Sequence, residues 1–353
     1  MKHYTDWSAY EPFSRDLSRC PGDAFSYQVE GDVADGGPKP GALMPASESK
    51  LAAMHYSSLG GYRALSVRGR ASISISREPI ACGSVISRHS VILVEPGASL
   101  ELRADLGAVP GALDLSFIEL IVGEGSSVDA FLRLGPSGGA PSASGLRVAL
   151  GSGSKLNYLL LGSGGRMHHQ DDRIILGPSA SLRAGAFLLS PADTRIDRFL
   201  AIDHAGAGSS SSVSAIGVAL DGGYVVVRGI ASLEEGAARS RTEFTAGVAL
   251  MGEGARGYAV PMLEVHTGEV LEAKHHSFEA KPSEDQLFYL RSRGLSESEA
   301  KGLVMFGLAS SQLGVLGGRL ARDAASTLGD LMASIGIPFS PQWGTGNAEN
   351  EAI

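Results

Sequence analysis

A short pattern recurs at a fixed distance along this chain, and few folds can accept it. Gly97-Ala-Ser-Leu, Gly125-Ser-Ser-Val and Gly153-Ser-Lys-Leu lie 28 residues apart, and Ser179-Ala-Ser-Leu follows 26 residues later. Each unit reads as a tight turn and then an apolar strand. A period of roughly 20 to 50 residues built in this way marks a solenoid, because a single coil cannot bury its apolar side alone and must stack on its neighbours. The spacing predicts a parallel β-helix over residues 70–270, with Leu100, Val128 and Leu156 stacked in one inward column. A sandwich of regular hairpins would need paired Asn-Gly or Asp-Gly turns, and within residues 70–270 Asp221-Gly222-Gly223 is the one candidate.

The flanks read differently. Up to about Tyr27 the chain mixes aromatic and charged residues, and Gly31-Asp-Val-Ala-Asp-Gly-Gly-Pro-Lys-Pro-Gly then has the glycine and proline density of a linker. Strand-like runs begin near Ala64, as in Ala71-Ser-Ile-Ser-Ile-Ser and Ser90-Val-Ile-Leu-Val, which alternate in polarity and are rich in β-branched residues. The 47 glycines suit many short strands joined by turns. Past the repeats, Ser283 with Gln286 and Ser296 with Glu299 each form a capping-box pattern, and Gly294 between them ends the first helix. Leu303, Val304, Gly307, Leu308, Ser311 and Val315 continue at helical spacing to a break near Gly317-Gly318. Leu320, Ala324, Leu328, Leu331 and Ile335 form another helix, which ends at Gly336 with Pro338 beyond. The expected division is an N-terminal extension and linker over 1–50, a β-helix core over 51–280, a helical subdomain over 281–340, and a disordered tail over 341–353.

The run from Ser283 to Ala300, Ser-Glu-Asp-Gln-Leu-Phe-Tyr-Leu-Arg-Ser-Arg-Gly-Leu-Ser-Glu-Ser-Glu-Ala, follows a histidine eight residues upstream, His275. It resembles the C-terminal signature of the SufB/SufD family of iron–sulfur cluster assembly proteins. Weaker likeness continues upstream through Pro261-Met-Leu-Glu-Val and Glu95-Pro-Gly-Ala, so that the resemblance covers about residues 75–310. It implies a mainly β fold: a right-handed parallel β-helix core with a C-terminal α-helical subdomain. It also implies a scaffold subunit without catalytic residues, which pairs with a SufB-like subunit or with a second copy of itself. ATP hydrolysis would come from a SufC-type ABC ATPase docked on the helices, with Leu287, Phe288, Leu290, Arg291, Arg293, Gly294, Leu303, Val304 and Leu308 as the docking residues. The cofactor implied is an iron–sulfur cluster, held transiently and shared with the partner subunit.

Two departures from the family pattern shape the expectation. His275 falls where the family has its histidine and is the candidate metal ligand, and His276 beside it is a second candidate for the cluster. His276 occupies the place where SufB-type members usually carry a glutamate. The cluster-building cysteine would fall near Ala246, and the only cysteines are Cys20 and Cys82, far upstream. Clusters are normally held by thiolates, so the resemblance is closer to SufD, or to a divergent single SufB/SufD-like protein.

Other chemistries find less support. A formal net charge of −8 and the lack of a basic run weigh against nucleic acid. No apolar run approaches the ~20 residues of a membrane span, and Met1-Lys-His-Tyr-Thr-Asp-Trp lacks a signal peptide's apolar core, so the expected location is the cytoplasm. His168-His-Gln-Asp-Asp-Arg173 suggests a second reading, a β-helical polysaccharide lyase or glycosidase, but adjacent Asp171 and Asp172 would point to opposite faces of a strand and need another acid such as Asp203. A structural solenoid is a third reading. No phosphate-binding loop occurs, and Ser209 to Ser212 read as a turn.

Overall fold

The computed structural model describes residues 7–15, 17, 25–77, 84–107, 111–135, 140–163 and 166–337. Cys20, Cys82, Pro338 and the 341–353 tail lie outside the described residues. The repeat unit forms a β-solenoid. One face stacks β3 (Val85–Val94), β5 (Leu113–Val122), β7 (Pro141–Leu150), β9 (Met167–Leu176), β11 (Arg195–His204), β13 (Tyr224–Leu233) and β15 (Arg256–Val265). The other stacks β4 (Ser99–Leu106), β6 (Ser127–Leu134), β8 (Lys155–Ser163), β10 (Ser181–Ser190), β12 (Ser210–Ala219), β14 (Arg241–Leu250) and β16 (Glu272–Ala280). These fourteen strands, two to a coil, make seven coils, and every neighbouring pair is parallel.

The predicted column is present. Leu100, Val128, Leu156 and Leu182 are mutually in register and almost fully buried. The turn before each explains the motif. Gly97, Gly125 and Gly153 have φ of 76°, 65° and 64°, a left-handed conformation that costs glycine least. Each donates its N–H to a carbonyl of the next coil's turn, at Glu124, Ser152 and Pro178. The following small residue, Ala98, Ser126, Ser154 or Ala180, is buried under the turn, where a longer side chain would not fit. Ser179 holds the same position with φ 55° although it is not glycine. Ser179→Gly is therefore expected to raise unfolding free energy by roughly 0.5–1 kcal/mol, read by urea denaturation.

The N-terminal end is closed by two strands. β2 (Arg63–Arg77) pairs with β3 through residues 63–67 and with β4 through residues 70–75, and β1 (Phe25–Asp35) lies antiparallel along it. The register of β1 shifts at a bulge between Gly31 and Val33. Gly31 takes φ 96° there, and a Cβ would sit 2.2 Å from the Arg70 carbonyl oxygen. This corrects the linker reading: Gly31–Asp35 completes a strand, because β2 offers it a ladder that composition cannot reveal. Ser210–Ser212 likewise open β12 and only Gly206–Gly208 turn, while Asp221-Gly222-Gly223 links β12 on one face to β13 on the other, which do not pair, and makes no hairpin.

Both outer faces are covered. Helix α1 (Lys50–Ser58), which the sequence reading missed, lies with Tyr10 and Met44 over Val85, Leu113, Leu115, Phe117, Ala143 and Met167 on the odd-numbered face. On the even-numbered face Phe131, Leu159, Leu161, Phe187 and Ile216 pack against α3 (Glu297–Leu313) and α4 (Gly318–Ser334). The expected break at Gly317-Gly318 separates these two helices. Leu328 and Leu331 are 0% and 8% exposed, because the helices fold back on their own solenoid.

Candidate functional site

The C-terminal end of the solenoid has no cover among the described residues. β15 pairs only with β13, and β16 only with β14, so each offers a free edge of backbone donors and acceptors. Burial falls accordingly: β14 has a run of buried residues from Ala246 to Ala249, whereas β16 has no fully buried residue. Tyr258, Val265 and Leu271 are 58%, 47% and 50% exposed.

His275 is in register with Phe244, an inward residue of the core, and so belongs to the inward phase of β16. It is nevertheless exposed, because no further coil lies over it. His276, on the opposite phase, lies 3.8 Å from the Glu243 carboxylate. The two imidazoles therefore take different sides of one strand and do not converge. Ala246 is buried one column away, in register with Ser277, and supplies no ligand. Among the described residues no group of three or more His, Cys, Asp or Glu side chains could hold a metal ion.

Beside this end stands α2 (Glu284–Ser292), with both expected capping boxes formed, by Ser283 with Gln286 and by Ser296 with Glu299. Gly294 ends α2 at φ 93°, the left-handed value expected of it. No residue of α2 is buried. Phe288 and Tyr289 are 72% and 56% exposed, and the Arg293 guanidinium lies 5.2 Å from the Tyr289 ring centre. Of the other candidate docking residues, Arg291, Arg293 and Gly294 are exposed, and Leu287, Leu290 and Leu303 are half-buried. Val304 and Leu308 are half-buried too, but against the chain's own helix-and-sheet core.

The acidic pair of the polysaccharide reading separates as strand geometry requires. Asp171 faces outward between Arg147 and Arg173, and Asp172 faces into the solenoid. Asp203 is in register with Ile175, four places from Asp171's partner Phe199. No acid pair forms from these three.

Sequence reasoning missed a polar spine inside the solenoid. Arg88 bonds Asp114, Ser116 bonds the same carboxylate, and His168 bridges Ser142 and Ser144 through its two nitrogens, at 2.8 and 3.2 Å. Gln170 donates to Asp172, which also accepts from Tyr158 and from the Leu146 amide. Arg198 lies 3.6 Å from Asp172 and is fully buried, with none of its nitrogens hydrogen-bonded among the described residues. Burial holds His168 down at about 4, and His204, between Ser209 and Ser211, is lowered to about 4 for the same reason. The available signal was phase: His168, Gln170 and Asp172 alternate along one inward face.

Comparison with known proteins adds the remaining observation. Residues 78–308 match the family model described as SUF system FeS cluster assembly, SufBD core domain. An iron–sulfur cluster assembly SufBD family protein of Mycobacterium tuberculosis is 49% identical over 55 residues, 16% of this chain and 14% of that protein. The iron–sulfur cluster assembly protein SufD of Bacillus subtilis is 34% identical over 106 residues, 30% of this chain and 24% of that protein. A SufBD family protein of Staphylococcus saprophyticus is 32% identical over 104 residues, 30% of this chain and 22% of its own length. The aligned stretches thus span less than a quarter of each of these relatives.

Proposed function

The chain belongs to the SufBD core-domain family of the SUF iron–sulfur cluster assembly system, and on that premise we propose that it is a SufD-like assembly subunit. In this reading it pairs with a SufB-like subunit or a second copy, docks a SufC-type ABC ATPase, and works in the cytoplasm with no catalytic residues of its own. One observation carries the reading: free strand edges, an exposed inward-phase histidine and an unburied aromatic helix lie at the same end of the solenoid. A free edge pairs readily with another strand, whose main-chain hydrogen bonds supply affinity and whose side chains supply selectivity. β16 is the better template, since β15 contains Pro261, which lacks an N–H.

The iron–sulfur cluster is cargo in this scheme. His275 would give it a neutral imidazole, a ligand suited to iron. Nothing near Ala246 provides a thiolate, so the sulfur ligands would come from the paired subunit. His276 and Glu243 would shape the outer side of the same edge.

The test is co-expression with a SufB-like subunit and an ABC ATPase, followed by size-exclusion chromatography and an anaerobic absorbance spectrum. Co-elution with cluster absorbance after reconstitution is expected. A chain that elutes alone from every such mixture would refute the pairing and docking. Within the complex, His275→Ala should weaken cluster retention at least about tenfold, the loss found even for groups that only support a ligand. Because His275 is exposed, the melting temperature should hold. Unchanged iron and sulfide per complex would remove His275 from the ligand set.

A further inference from the structure

The segment 41–58 crosses the odd-numbered face as a strap, and one buried carboxylate fastens it. Glu119 on β5 is fully buried and accepts hydrogen bonds from the Gly41 and Leu43 amides, both at 2.6 Å, and from the Tyr56 hydroxyl at 3.3 Å. His89 Nε2 on β3 lies 3.0 Å from the same carboxylate. His89 Nδ1 lies 2.8 Å from His55 Nε2 on α1, and the Leu115 backbone on β5 is the other polar group facing the His55 ring. Both imidazoles are fully buried. The geometry points to a proton-operated latch, in which protonation of the buried His55 releases the strap from the solenoid.

The chain of contacts sets the direction. With Glu119 ionised, His89 donates through Nε2 and must accept at Nδ1, so His55 donates from Nε2. Each ring then carries one N–H and is neutral. A further proton on His55 makes a buried imidazolium that has lost its solvation and, among the described residues, contacts no carboxylate directly. The groups facing the pair offer one compensating charge. Tyr56 on α1 is neutral, its hydroxyl pushed up from the ordinary phenol range by burial and by Glu119. Phe117 on β5 packs edge-on to His55 at 4.9 Å, and Ser87 on β3 bonds Ser58. Among the described residues Glu119 is the only carboxylate in contact, and it already accepts four donors. Glu48, Arg147, Asp171 and Arg173 pair among themselves further along the strap. Burial and the neighbouring His89 hold His55 well below the usual histidine range, in line with a closed strap at neutral pH. Opening would expose Val85, Leu113, Leu115, Phe117, Ala143 and Met167.

Hydrogen exchange on the full chain tests this, with the amides of β6 and β8 as an internal reference. As pH falls below about 6.5, the Gly41 and Leu43 amides should lose protection roughly tenfold per pH unit while the coil amides remain protected. His55→Gln keeps a donor for His89 without a titrating group and should remove that pH dependence. Glu119→Gln should lower strap protection already at neutral pH and leave the coils protected. Strap and coil amides that lose protection together would overturn the latch, as would a His55→Gln chain with the pH response of the parent.

Discussion

Aspartate in place of Phe288 is expected to weaken capture of the proposed ABC ATPase partner by at least about 30-fold, ~2 kcal/mol, while the melting temperature of the free chain holds. Phe288 is 72% exposed on a helix that buries nothing, so the free chain loses no packing. In a docked complex the same position would place an unpaired carboxylate in an apolar contact, which costs more than the contact removed. Aromatic and arginine side chains dominate such interfaces, and Phe288 stands close to Tyr289, Arg291 and Arg293. Two apparently stronger tests are confounded. Cutting after Lys281 would strip Phe131, Leu159, Leu161, Phe187 and Ile216 of their cover, and Val304→Asp would charge a side chain that packs on the chain's own core. Titration of the ATPase by calorimetry measures the effect, and equal affinity for the parent and Phe288→Asp chains would move the docking surface away from α2.

The second large effect is acid lability. His168 and His204 are buried neutral at about 4 against an ordinary value of 6.5, and burial lowers His55 as well. A histidine that is harder to protonate when folded lets the unfolded chain bind more protons between those values. Stability is then full above about 6.5, falls as pH drops, and stops falling on this account near 4. At 1.36 kcal/mol per pH unit, His168 and His204 together should remove about 4 kcal/mol between pH 7 and pH 5, a large share of a domain's stability. Carboxylates continue the loss lower down. Burial opposes ionisation of Asp197, but His169 and Arg228 outweigh it and hold the group at about 2, so its contribution disappears as pH falls from the usual carboxylate range toward that value. Urea unfolding at pH 7 and pH 5 measures the difference. His204→Gln, whose amide can serve both serine hydroxyls, should flatten the slope. Equal unfolding free energies at the two pH values would show that these histidines are not neutral and desolvated.

Much of the fold was legible because a solenoid repeats its constraints. A left-handed turn, a small residue under it and an inward apolar residue must recur in every coil, and three glycine-led copies sufficed to show the period. Ser179 was recognisable only because its neighbours kept the pattern. The corner of Ser283, Gly294 and Ser296 was equally readable, since capping chemistry is local. What stayed hidden depends on distant surfaces. Leu328 and Leu331 carry the same helical pattern whether they face a partner or their own sheet. Gly31–Asp35 looks like linker until β2 supplies hydrogen bonds. Glu119, His89 and His55 lie far apart in sequence, and no periodicity links a loop amide at Gly41 to a strand carboxylate. At the candidate site the pleat was what sequence did not show: His275 and His276 look like one pair in sequence, and the pleat of β16 divides them.

The closed N-terminal end limits how many chains can join. β1 lies antiparallel along β2, carries the bulge at Gly31, and presents Glu30, Asp32 and Asp35 to solvent, all features that discourage another strand from adding there. A solenoid open at both ends could stack head to tail without limit, as heterologous contacts that do not close produce filaments. With one end blunted among the described residues, the pairing proposed above would give this body a valence of one: joining through β15 and β16 would consume the one free end the described residues leave on each partner, so assembly would stop at two solenoids, and growth into a fibre would require β1 to be displaced first.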